Sequence, residues 1–580
     1  MKDSSTYWSK VALALAVIAL LAPQGTALAA QPRADKIDEL MTAYHQLGRF
    51  NGAVLVAENG KVIYKKGLGL ANMEWNLPNE PDTKFRLGSI TKQFTATLIM
   101  QLVEQGKVKL DEKVSTYLPE YRKDTGGKVT VHQLLNHTSG IPSYTSQPGF
   151  FENTSRDPYT VVEFVKQHAS GDLEFEPGAK FSYNNSGYFL LGAIIEKVTG
   201  KSYEQALKEN ILDPAGMKNT GYDHWGTVIK KRASGYTKDP DGYKNAAYLD
   251  MSLPYAAGSL YSTVEDLYLW DQALYGDKLL SAKSRELMFT PNLENYGYGW
   301  VITKAPVGDG KETVASISHG GGINGFSTLI TRLVDSKHLI VLLDNTSQGG
   351  HQGGITANIT NILYDKPYTL PKPSIAEAML KTILERDLES AIKQYRDLKA
   401  KDATAYDFGE GELNMLGYQL LGTQKTREAI EVFKLNVEAY PQGANTYDSL
   451  AEAYMVNGDK ALAIENYKKS LQLNPQNAGA KDKIKQLESP EVKVATAVYD
   501  AYVGEYELAP GFVLAITKEG EKLMAQATGQ PKVEIFPESE TKFVLRVVDA
   551  QITFVKDEGG RVTGLILHQG GRDVPGKKVK

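Results

Sequence analysis

Apolar positions along this chain repeat with two spacings, and the switches between them divide it. At residues 36–50 they recur every three to four positions, which predicts an amphipathic helix. At 52–58 and 61–66 they alternate around Asn59-Gly60, a strong hairpin pattern. Phe94, Leu98, Ile99, Leu102 and Val103 return to helical spacing and stop at Gly106; the polar turn Gly88-Ser89 opens that helix. A short helix is expected in 128–142, ending in a turn at Gly140 and Pro142. A longer one is expected over 189–198, closed by Gly200 and preceded by the polar loop Tyr183-Asn184-Asn185. In 314–330 strand-like residues run into His319, then three glycines, then a second strand. Residues 374–488 read as helices. From 495 onward the period is two, with short strands at 512–517, 522–528, 533–536, 542–547, 551–556 and 562–568.

Length and composition narrow the classes. At 580 residues the chain exceeds what a single core organises. A net charge of −4 argues against a nucleic-acid-binding surface. With no cysteine, thiol nucleophiles, disulfides and cysteine-ligated metals are excluded. Near the N-terminus, Lys2 and Lys10 precede an apolar stretch from Val11 to Ala22, a break at Pro23-Gln24-Gly25 and the small-x-small site Ala27-Leu28-Ala29. The apolar stretch is too short for the ~20 residues that span a bilayer. Residues 1–30 are therefore expected to be a secretory signal peptide, cleaved after Ala29 or Ala30. The mature protein would be exported, periplasmic or secreted, without a transmembrane segment.

The candidate chemistry centres on Ser89-Ile90-Thr91-Lys92. Residues three apart share a helix face, so both side chains point the same way. A serine hydroxyl needs a neighbour to take its proton, and a lysine does so when burial lowers its pKa. The spacing alone is weak, because Ser390-Ala391-Ile392-Lys393 and Ser539-Glu540-Thr541-Lys542 share it. Two later stretches add weight. Tyr183 offers a phenol that could share a proton, and Asn185 an amide that could bind lysine or substrate. The glycines after His319 mark a close approach of ligand or backbone, where an N–H could complete an oxyanion hole. His132 and His137 lack a third partner at metal-ligand spacing and are expected to bond loop carbonyls instead.

Together, Ser89-Ile90-Thr91-Lys92, Tyr183-Asn184-Asn185 and His319-Gly320-Gly321 resemble the motifs of the β-lactamase and penicillin-binding superfamily of serine hydrolases. The nearest branch is the class C β-lactamase-like group, which also holds esterases, DD-peptidases and D-amino-acid peptidases. Leu134 to Pro142 and Ala257 to Leu267 support the resemblance, which covers roughly residues 35–365. It implies an α/β domain with an antiparallel sheet, helices on one face and a helical subdomain. By the same resemblance Ser89 is the acylated nucleophile, and Lys92 and Tyr183 share the general-base work. Asn185 holds the substrate amide or the lysine, and the N–H groups of Ser89 and Gly322 form the oxyanion hole beside Gly321. No metal or organic cofactor is implied. His319 stands where β-lactamases carry lysine; histidine is charged only part of the time near pH 7, which weighs against efficient β-lactam hydrolysis.

Beyond the proline-rich linker 366–373, residues 374–488 contain two segments that match at an offset of 34: Leu416-Gly417, Ala429, Phe433 and Pro441 against Leu450-Ala451, Ala463, Tyr467 and Pro475. These resemble tetratricopeptide repeats, which bind peptides or pack on a neighbour. Residues 495–580 are expected to form a small antiparallel barrel or sandwich, resembling lipocalin-like domains. The division is thus signal 1–30, hydrolase 31–365, linker 366–373, helical repeats 374–488 and β-domain 495–580. The leading expectation is a secreted serine hydrolase acting on D-amino-acid-containing, cell-wall-like peptides or on small esters and amides, with β-lactamase as an alternative. The competing expectation is a non-catalytic peptide- or glycan-binding protein that works through its repeats. Loops 143–157 and 222–253 are where substrate choice is expected to reside.

Overall fold

The turn Asn59-Gly60, with both residues at positive φ (50° and 75°), joins β1 (Gly52–Glu58) to β2 (Lys61–Leu68). Two successive left-handed residues give the tight turn whose twist suits antiparallel strands. The computed structural model describes residues 32–580 apart from 240–241, 348, 489–493, 510, 546–547, 549 and 571. The expected signal peptide lies outside the described residues.

Four later strands complete the sheet: β3 (Val301–Val307), β4 (Glu312–Ile323), β5 (Phe326–Leu333) and β6 (His338–Asp344). The order is β3-β4-β5-β6-β1-β2, antiparallel throughout. The chain's first strands therefore sit beside its last, and β6 and β1 are buried on both faces. Their side chains divide by the period of two. Val54, Val56, Ile340 and Leu342 face one core with α1 (Arg33–Gln46) and α5 (Gln352–Leu363). Ala53, Leu55, Val341 and Leu343 face the larger core. That core holds α2 (Thr91–Glu104), α3 (Asn185–Thr199) and α4 (Val264–Ala273). The sheet is thus covered on both faces, not one. Helix α1 begins three residues and ends four residues earlier than periodicity indicated, because Pro32 precedes it and Gly48 at φ 63° breaks it.

Seven helices follow between Ile375 and Glu488. Two pairs start 34 residues apart, at Glu410 and Ala444 and at Thr426 and Lys460. Gly417 lies against Phe433, where a Cβ would meet the ring at 2.4 Å. The final segment is a closed eight-stranded barrel, from Gly504–Ala509 to Arg572–Lys578. Its first and last strands, which the hydrophobic pattern did not mark, pair at Tyr506 with Lys578 and close it. The interior is filled: Tyr502 stacks on Phe554 at 4.1 Å, with Tyr506 and Phe543 packed around them. Among the described residues no helix is long and apolar enough to cross a membrane.

Candidate active site

Helix α2 runs through the middle of the larger core, and all but a few of its residues are buried, Lys92 included at 0% exposure. A helix enclosed on all sides carries its polar groups into low dielectric. Phe94 stacks on Trp270 at 4.3 Å, and Thr95 donates to the Ala256 carbonyl at 2.6 Å, which fixes the helix along its length. Ser89 sits on a 3₁₀ turn, Gly88–Ile90, that leads directly into α2.

Lys92 Nζ lies 3.0 Å from Ser89 Oγ, 2.8 Å from Asn185 Oδ1 and 2.9 Å from the Ala257 carbonyl oxygen. Burial holds the amine well below its ordinary pKa. A neutral amine has two hydrogens and one lone pair. Asn185 Oδ1 and the Ala257 carbonyl can only accept, so the hydrogens go to them and the lone pair faces the serine hydroxyl. The Asn185 orientation follows from its other bond, in which Nδ2 donates to Thr145 Oγ1 at 3.0 Å. Asn184 caps α3 by accepting from Gly187 N–H at 2.7 Å, which places Asn185 as the first helical residue, aimed at Lys92.

The Tyr183 ring stands over Lys92 Nζ at 4.8 Å from its centroid, and its phenol pairs with Ser89. Although 38% of this residue is open to solvent, burial of the rest holds the phenol above its ordinary pKa, opposed by the serine bond. It is protonated at neutral pH and can donate.

Strand β4 completes the site. Its Ile323 pairs with Phe326 across the two-residue turn Asn324-Gly325, and Gly322 pairs with Ser327. In such a hairpin 323/326 and 321/328 exchange hydrogen bonds, so the N–H of Gly322 turns to the opposite edge. Strand β3 pairs only as far as Ser318, leaving that edge free beside Ser89. Two glycines make the approach possible: a Cβ on Gly321 would lie 1.9 Å from the Leu87 carbonyl oxygen, and one on Gly88 (φ 54°) 2.9 Å from that of Gly322. Thr328 Oγ1 donates to the Leu87 carbonyl at 2.8 Å, tying sheet to turn.

His319 is buried, with Nδ1 2.6 Å from the Gly320 carbonyl oxygen and Nε2 2.8 Å from Tyr296 Oη. Burial above all pushes its pKa down to about 4. The imidazole is neutral at pH 7, which takes the sequence expectation of partial charge one step further. His132 and His137 do not bond loop carbonyls through their rings. His132 pairs with Tyr298 Oη at 2.7 Å through Nδ1, and His137 Nδ1 accepts from Asn184 N–H at 3.0 Å.

The cleft over Ser89, about 510 Å³, is lined by Tyr144, Phe150, Phe151, Leu249, Leu253 and Phe326 among others. Five of these six come from the two loops expected to govern specificity. No Asp, Glu, Lys or Arg side chain lines the cleft among the described residues. The structure thus brings together Ser89, Lys92, Tyr183, Asn185, His319, Gly321 and Gly322, all seven anticipated positions. Sequence reasoning missed Tyr296, Thr145 and the Ala257 carbonyl.

Comparison with known proteins agrees with this geometry. The Beta-lactamase family model matches residues 34–360, and a model described as a domain of unknown function (DUF3471) matches 488–578. Over 574 residues the chain is 27% identical to penicillin-binding protein 4* of Bacillus subtilis (strain 168), spanning 94% of this chain and 99% of that one. It is 29% identical over 343 residues to teichoic acid D-alanine hydrolase of Staphylococcus aureus, spanning 58% of this chain and 80% of that one. Among solved structures it is similar to D-amino acid amidase from Ochrobactrum anthropi SV3, with 27% identity, a TM-score of 0.50 and coverage of 57% of this chain and 97% of that chain. With more than half its length matched by that family model, the chain belongs to the β-lactamase family of serine hydrolases.

Proposed function

We propose that the protein hydrolyses amides, peptides or small esters of D-amino-acid type through an acyl-enzyme on Ser89. The observation that carries this is the buried Lys92 amine, held well below its ordinary pKa by burial, with Nζ 3.0 Å from the Ser89 hydroxyl. The Ser89 proton passes to Lys92 as Oγ attacks the carbonyl carbon. The resulting oxyanion is received by the N–H groups of Ser89 and Gly322, each donor worth roughly 2.7–4 kcal/mol in comparable sites. Lys92, with Tyr183, returns the proton to the leaving nitrogen or oxygen. Water then attacks the acyl-serine, and its proton goes to the Lys92 amine, directly or relayed through the Tyr183 hydroxyl, which passes its own proton on.

The substrate class rests on the cleft and on the relatives. An uncharged lining, aromatic and aliphatic with polar Ser, Thr and Asn side chains, together with a neutral His319 offers no cation for a substrate carboxylate. This favours amides, esters and internal peptide bonds over β-lactams, whose carboxylate would lose water without gaining a partner. Relatives described as a D-alanine hydrolase and a D-amino acid amidase agree with that direction. Export and a peptide-binding role for the tetratricopeptide-like helices belong to the same reading. The test is turnover of a D-aminoacyl p-nitroanilide and a p-nitrophenyl ester. Both should be hydrolysed, and both activities should be lost in Ser89→Ala and Lys92→Ala. Undiminished turnover in Ser89→Ala rejects the reading.

A further inference from the structure

Behind the reacting groups lies a buried tyrosine that the chemistry above does not use. Tyr296 is 2% exposed, on the turn before β3, and its hydroxyl meets the His319 imidazole as well as the Tyr188 phenol. The register of β4 explains why that imidazole matters. Gly320, like Gly322, turns its carbonyl and N–H away from β5, and β3 has already ended at Ser318. The carbonyl of Gly320, an exposed residue, is held by His319 Nδ1, 2.6 Å away. A carbonyl only accepts, so Nδ1 carries the proton. In the neutral ring Nε2 is then a bare acceptor, and Tyr296 O–H fills it at 2.8 Å.

We propose that Tyr296 is a positioning residue for the oxyanion hole: its hydroxyl fixes the Nδ1–H tautomer of His319, whose ring anchors the Gly320 carbonyl and so holds the Gly322 N–H in place. The stretch it holds, Gly320 to Gly322, has no side chain to pack, and this bond is a side-chain tie on its outer edge. The inference rests on Ser89 being the acylated residue, since only then does the Gly322 N–H face the developing charge.

Two measurements test it. The first is ¹⁵N NMR of the histidine rings in the intact protein, with the His319 signals assigned by their loss in His319→Gln. A neutral ring protonated at Nδ1 is expected; a ring protonated at Nε2, or at both nitrogens near pH 7, overturns the proposal. The second is kinetic. Removing an oxyanion donor outright costs about 10²–10³ in kcat. Tyr296→Phe, which only loosens one, should lower kcat about 10-fold to 100-fold with KM changed less than about threefold. Affinity for a phenylboronic acid transition-state analogue should fall in step. A folded Tyr296→Phe with unchanged kcat overturns the proposal. If that variant does not fold, His319→Gln and His319→Leu decide. Glutamine can both accept from Tyr296 and donate to Gly320, so it should lose clearly less kcat than leucine; equal losses overturn the proposal. Failure of Ser89 labelling would undo the hydrolase reading and leave the tautomer result untouched.

Discussion

At the scale of single residues, burial separates the working Ser-x-x-Lys from its look-alikes. Lys92 is fully enclosed, whereas the Lys393 side chain is 76% exposed and paired with Asp397. An exposed lysine stays charged and cannot accept a proton, so spacing alone never identifies the base. The pH dependence follows from the same fact. Protonation of Lys92 removes the base, so kcat/KM for a neutral ester should rise with pH through an amine pKa well below 10.5. It should then stay level until the Tyr183 phenol ionises above 10. His319 at about 4 should add no step near the usual histidine value. A step between about pH 6 and 7 that vanishes in His319→Gln would contradict a neutral imidazole.

At the scale of elements, the site is a junction between the first turn of α2 and the free end of β4, and glycine sets the distance between them. Gly321→Ala places a methyl against the Leu87 backbone and must push the strand away. It should destabilise by about 1–3 kcal/mol, typical of overpacking, and abolish most activity. Gly322→Ala meets open space and should melt at the wild-type temperature. Equal melting temperatures for the two variants would show that the strand does not sit where described. The same junction marks what was legible in sequence. Ser89, Lys92, Tyr183, Asn185 and the glycines announced themselves because each carries chemistry or a backbone freedom that few residue types supply. Tyr296 did not, because a tyrosine in a loop carries no sign of the imidazole it will meet 23 residues later. The Ala257 carbonyl could not, since backbone acceptors leave no mark in the side-chain pattern. The expected short helix in 128–142 proved to be Val131–Leu135, opened by the Thr130/Gln133 capping box.

At the scale of the molecule, the hydrolase unit carries the chemistry, and the C-terminal segments are built on other periods. The barrel's outer strands escaped detection because Gly504–Ala509 and Arg572–Lys578 lack strict alternation and gain their pairing only on closure. Its aromatic filling bears on function: Tyr502, Tyr506, Phe543 and Phe554 pack on one another in the buried core of the barrel, where a carrier barrel holds its ligand. A fluorescent fatty acid should therefore show no saturable binding to the full-length protein. Phe554→Ala should cost about 3–5 kcal/mol of barrel stability, seen as an earlier melting step. Saturable fatty-acid binding by the wild type would contradict a filled barrel.

The central claim is that one hydroxyl, deprotonated by a neutral buried amine, becomes acylated. Reaction with a fluorophosphonate followed by peptide mapping reads this directly. A single adduct on Ser89, formed far more slowly in Lys92→Ala, is the predicted result. An adduct on any other residue, or labelling that persists in Ser89→Ala, would contradict it.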